Sequence, residues 1–117
     1  MKQFIFAVLL FLSYLGNAMA VIQARDGAGN TVTLHGDPCT TPAVIAQIPR
    51  LNAILADIGM PPKSAADFIS ASLLFEGKVL KACATDLGPM VIVIDEAGLE
   101  SSIFPVPARD FKNVEGI

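Results

Sequence analysis

The sequence predicts an α+β domain: one kinked helix, or two short helices, packed on an antiparallel β-meander in the chain order β-β-α-β-β-β-β, with one disulfide. Between Leu73 and Gly98, three short apolar runs are separated by Glu76-Gly77, by Asp86-Leu87-Gly88-Pro89 and by Asp95-Glu96-Ala97-Gly98. Turn clusters between β-rich runs give antiparallel neighbours. Upstream, Val44, Ile48, Leu51, Leu55 and Ile58 recur at close to the helical period, with Ile45 and Ile54 widening the stripe. The two cysteines, Cys39 at the start of that helix and Cys83 in the middle apolar run, offer one covalent link from helix to sheet.

In chain order, residues 1–20 carry the three parts of a secretory signal: Lys2, an apolar run from Phe4 to Leu15, and Ala18-Met19-Ala20 as a small-residue cleavage site. Cleavage is expected between Ala20 and Val21. The apolar run is shorter than the ~20 residues of a spanning helix, which makes an uncleaved anchor the lesser reading. No cysteine follows Ala20, against a lipoprotein. The expected product, residues 21–117, is a single small α+β domain without a membrane span, periplasmic or secreted. At this size one hydrophobic core is marginal, and two cysteines in a short exported chain read as a disulfide. Separate thiols with catalytic or metal roles lack partners, because there is no Cys-x-x-Cys and only one histidine.

From Val21, two β runs flank Gly27-Ala28-Gly29-Asn30, whose glycines supply the positive φ of a tight reversal. Val32 and Leu34 alternate with Thr31, Thr33 and His35, giving one buried and one wet face. A calcium loop over Asp26 to Thr31 fails, because Ala28 and Thr31 stand where a ligand and a glycine are needed. Thr41 then caps a helix with Pro42 in its first position. Pro49 removes a backbone donor, so the helix is expected to kink or divide there. Gly59 and Pro61-Pro62 end it. Ser64 could cap a brief turn. Phe68 to Phe75 and Lys78 to Thr85 form a hairpin, and Met90 to Ile94, apolar throughout, reads as a strand buried on both faces. Ser101 to Val106 is a last strand, placed at an edge by Pro105 and Pro107. Arg109 to Ile117 reads as a tail with Phe111 tucked back.

Losing Lys2 takes the formal net charge from −3 to −4. With no basic stripe, binding to phosphate backbones is disfavoured and nucleic acid is not an expected partner. The expected mature chain keeps four Phe but no Trp or Tyr, which weakens sugar binding by ring stacking and interfaces built on those anchors. His35 is the one side chain that ordinarily titrates near neutrality. A hydrolase would need Ser101, Ser102 or a threonine to reach it. Asp95 and Glu96 could be paired carboxylates, but neighbours on a strand point to opposite faces, so they read as turn-forming and solubilising. No phosphate loop, metal-ligand cluster or nucleophile elbow is present, and no cofactor is expected.

Asp37-Pro38-Cys39, Glu76-Gly77-Lys78 with Ala82-Cys83 following, and Asp95-Glu96-Ala97-Gly98 leading to Ile103, Pro105 and Phe111 carry a resemblance to small exported proteins of unknown function from bacterial and phage or prophage genomes. The resemblance spans most of the chain after residue 20. It implies an envelope location and a paired-cysteine fold, and it brings no activity. Ala84 stands where those proteins usually have Trp after the second cysteine. The leading expectation is a non-enzymatic module that binds or inhibits another envelope protein. The alternatives are a structural component that self-assembles through an exposed edge strand, and a small hydrolase using His35.

Overall fold

The computed structural model describes residues 21–114; the expected signal peptide, Ala20 included, lies outside the described residues. Strands β1 (Ile22–Arg25) and β2 (Thr31–Pro38) are followed by helices α1 (Pro42–Ile45) and α2 (Ile48–Asp57). Strands β3 (Ile69–Phe75), β4 (Lys78–Leu87), β5 (Met90–Asp95), β6 (Ile103–Pro107) and β7 (Lys112–Asn113) complete the chain, with 3₁₀ turns at Ala65–Asp67, Glu100–Ser102 and Ala108–Asp110. All pair antiparallel in one sheet, in the order β6-β5-β4-β3-β2-β1-β7. The class is therefore α+β, but the chain order β-β-α-β-β-β-β is not the one observed. A seventh strand replaces the expected tail. Lys112 and Asn113 lie beside Gln23 and Ile22, and such a short strand has no alternation to betray it.

That strand dictates the shape of the sheet. Pro107 and Lys112 are five residues apart, at most about 19 Å along the chain, yet they belong to opposite edges. Seven flat strands would hold those edges roughly 29 Å apart. The sheet must curl into an open barrel, and the Ala108 N–H pins the crossing to the Pro89 carbonyl at 2.9 Å.

The turns follow from their residues. The β3–β4 hairpin has two central residues, Glu76 at φ 51° and Gly77 at φ 80°, the pair of positive angles that matches strand twist. The Asn30 side-chain oxygen accepts the Glu76 N–H at 3.1 Å. In the β1–β2 turn only Gly29 of the two glycines takes positive φ. Gly88, also at positive φ, makes a tight β4–β5 turn, so β4 runs on to Leu87 where a turn was expected to begin at Asp86.

The helical segment divides near Pro49, as its missing donor requires. Thr41 stands at the N-cap without a side-chain bond to the helix, contrary to its expected capping role. At the far end the Gly59 N–H reaches the Ala56 carbonyl at 3.1 Å and the Met60 N–H reaches Leu55 at 2.8 Å, the reciprocal pair of a glycine-terminated helix. Val44, Ile48, Leu51 and Leu55 are buried, whereas Ile54 and Ile58 face solvent. The apolar stripe is narrower than its sequence pattern.

Two cores result. Inside the barrel, Ile22, Val32, Leu34, Leu73, Val91 and Val93 pack with several alanines, and Phe111 tucks against them as expected. Outside it, the helices cover Cys83, Ile92 and Ile94 together with Phe68 and Cys39. Consequently β5 is buried on both faces, in keeping with its apolar run. An irregularity between Leu34 and Pro38 in the β2–β3 register precedes Cys39, which bonds Cys83 through a disulfide. The bond joins the entrance of the helical layer to the sheet beneath it. No helix among the described residues is long and apolar enough to cross a membrane.

Candidate functional site

Many side chains that point into the barrel are small. Ala71, Ala82 and Ala84 are buried in that inner core, and Ala24, also buried, lines the cavity. At the end that carries the β1–β2, β3–β4 and β5–β6 connections, a cavity of about 480 Å³ remains, within the range of roughly 300–1,000 Å³ found for ligand sites. Val32, Leu73, Leu80, Phe104 and Val106 form apolar walls, and Phe75 and Leu99, 45% and 60% exposed, stand at the rim. The cavity reaches the seam between β1 and β6. Strand β7 pairs only with Ile22 and Gln23, so Ala24 and Arg25 face Phe104 to Pro107 across the cavity rather than through a ladder.

Acidic groups predominate at this opening. Asp95 lies opposite Ala82 in the β4–β5 ladder, hence on the inner face, lines the cavity, and is only 6% exposed. Its Oδ1 accepts the Ala97 N–H at 2.9 Å; no donor reaches Oδ2 among the described residues. The Asp95 carbonyl accepts a hydrogen bond from Gln47 Nε2 at 2.6 Å, and that buried amide also donates to the Ala43 carbonyl at 3.1 Å. Strand and helix thus clamp the residue from behind. Arg25 brings one positive charge to the opening, and its guanidinium donates to Gln23 Oε1 at 3.1 Å. Asp26 and Asp110 also line it, Asp110 at 4.0 Å from Arg109 Nε.

Asp95 and Glu96 turn to opposite sides, as strand geometry requires. The Glu96 carboxylate accepts the Lys81 N–H at 2.6 Å. Asp95 was expected to serve the turn and solvation; it does brace the turn through Ala97, but its burial overturns the solvating role. What hid it was the shape of the sheet, because the inner face of a flat strand end would be wet.

Asp26, weighed above as a calcium-loop residue, is occupied by its own turn. The Asn30 side-chain amide donates to one carboxylate oxygen at 2.9 Å, and the backbone N–H groups of Asn30 and Ala28 to the other at 2.9 and 2.8 Å. These bonds, the Asn30 amide foremost, hold its pKa below the usual 3.8. Among the described residues no group of three His, Cys, Asp or Glu side chains is placed to hold a metal.

His35 lies on the outer face of β2, and its Nε2 is 2.8 Å from Ser72 Oγ of β3. The expected partners were Ser101, Ser102 or a threonine. Ser102 is instead buried at the cavity, where its Oγ accepts the Leu99 N–H at 2.9 Å. Among the described residues the His35–Ser72 pair has no carboxylate on the second ring nitrogen, and it stands on the face opposite the cavity. A hydroxyl and an imidazole alone lack the orienting group and oxyanion donors of acyl transfer.

No protein-family description, curated protein or solved structure matches the chain.

Proposed function

We propose that the chain is a non-enzymatic binding protein of the periplasm or the extracellular space, and that it holds a small, largely apolar ligand in the open end of its barrel. One observation carries this reading: a cavity of about 480 Å³ with apolar walls, an exposed apolar rim and a few polar groups, the composition of ligand sites. The Cys39–Cys83 bond supports the compartment, because such links persist where thiols are oxidised. The test is titration of the oxidised domain, residues 21–117, with N-phenyl-1-naphthylamine, a neutral probe whose fluorescence rises in apolar surroundings. Saturable binding is expected, and Ala24→Phe, which fills the cavity, should abolish it. Equal binding by both proteins would reject the reading.

A second reading keeps a protein partner: the domain binds or inhibits another envelope protein through the outer face of the β3–β4 hairpin. Leu74 and Val79 are cross-strand neighbours there, 38% and 72% exposed, and exposed apolar pairs beside a polar sheet mark contact surfaces. Photo-cross-linking from position 79 in an envelope fraction should give a discrete adduct. Position 33, on the polar part of the same face, is the control and should give none. Assembly through an edge strand is opposed by Pro105 and Pro107 in β6, which have no N–H to offer a neighbour. Hydrolysis is opposed by the His35–Ser72 geometry.

A further inference from the structure

We propose that the ligand of the barrel cavity carries an ammonium group on an apolar body and that Asp95 selects it; this rests on the ligand-binding reading above. Asp95 is 6% exposed and points inward from the end of β5. One of its oxygens is matched by the Ala97 N–H and the other by no donor among the described residues. That second oxygen is open at the cavity rather than sealed, and a carboxylate oxygen beside apolar walls gains when a donor or cation arrives.

No ion pair reaches the Asp95 carboxylate among the described residues. Asp26 and Asp110 line the same opening with Arg25, and Asp110 lies 4.0 Å from Arg109 Nε, so carboxylates outnumber the one cation of the lining. The free oxygen therefore faces a space whose walls are Leu73, Leu80 and Phe104. An ammonium beside it would form a charge-assisted hydrogen bond, while the attached alkyl or aryl group would cover those walls. An anionic ligand would meet three carboxylates against the single cation Arg25. A neutral one, even with a hydroxyl to donate, would bring no charge to offset the carboxylate, so the site distinguishes the three charge types.

The position is also built to hold still. The Gln47 bond to the Asp95 carbonyl and the Ala97 bond to the carboxylate fix the side chain before any ligand enters, so binding need not order it.

The experiment is a heteronuclear NMR titration of the oxidised domain at pH 7 with n-octylammonium, n-octanol and octanoate. They share one chain and differ in head group. We expect octylammonium to bind at least about tenfold tighter than octanol, the difference made by one charge-assisted bond, and octanoate to bind more weakly than octanol. Asp95→Asn, which can still accept from Ala97, should remove the preference for octylammonium over octanol. A dispersed spectrum matching that of the unaltered protein away from the cavity shows that the variant is folded. Equal affinities for octylammonium and octanol in the unaltered protein would overturn the ammonium proposal while leaving the ligand-binding reading intact. A preference that survives Asp95→Asn would overturn the assignment to Asp95 and move it to the rim. If none of the three binds, the ligand-binding reading falls and the proposal with it.

Discussion

Asp26 shows how one side chain can organise a turn and tie it to pH. Its carboxylate collects the Asn30 and Ala28 donors, and they hold its pKa below the usual 3.8. A pKa lowered by folding adds stability that is present above the unfolded value and is lost as pH falls through the folded one. Asp26→Asn should therefore flatten the acid limb of the stability curve below about pH 4, as read from urea midpoints collected against pH. His35 makes a contrasting case, with one partner and no cavity. We expect His35→Ala to change stability by no more than about 1 kcal/mol and to leave probe binding untouched, measured by urea unfolding and by N-phenyl-1-naphthylamine titration. Loss of probe binding in that variant would mean the outer face belongs to the site. The Ser72 contact was not legible in the sequence, because the irregular register after Leu34 decides which β3 side chain His35 meets.

Elements differ in how openly the sequence declares them. The β3–β4 hairpin, the interrupted helix and the doubly buried β5 were legible because each rests on local chemistry: a two-residue turn, a missing donor at Pro49, an unbroken apolar run. The capping role of Thr41 and the width of the helical stripe were not, since both depend on how the helices dock. Leu51 and Leu55 are the centre of that contact, and Leu51→Ala should cost about 2–5 kcal/mol in chemical denaturation. The β6 edge offers another expectation. Pro105 and Pro107 deny a neighbouring chain two of the donors it would need, so replacing both with threonine should make the light-scattering mass rise more steeply with concentration than that of the unaltered protein. If scattering does not change, something other than the prolines keeps this edge unpaired.

Across the whole molecule the cavity was the least legible feature. Ala24 looks in sequence like an ordinary small strand residue, and only the curl of the sheet sets it opposite Phe104 around a shared space. The disulfide was the most legible, because two cysteines in so small a domain have few other uses. By closing a loop with a sequence separation of 44 residues, it should contribute about 4 kcal/mol in the chain-entropy model. A Cys39→Ser/Cys83→Ser protein should show that loss in equilibrium unfolding at neutral pH. The pairing of β1 with β7 has a consequence for synthesis. Ile22 meets Asn113, so on a ribosome or in an export channel β1 must wait for β7 before its outer edge is covered. During that interval β1 is an open template, and contacts so distant in sequence form slowly. The nascent chain is most in need of a holding chaperone in the time between the emergence of those two strands.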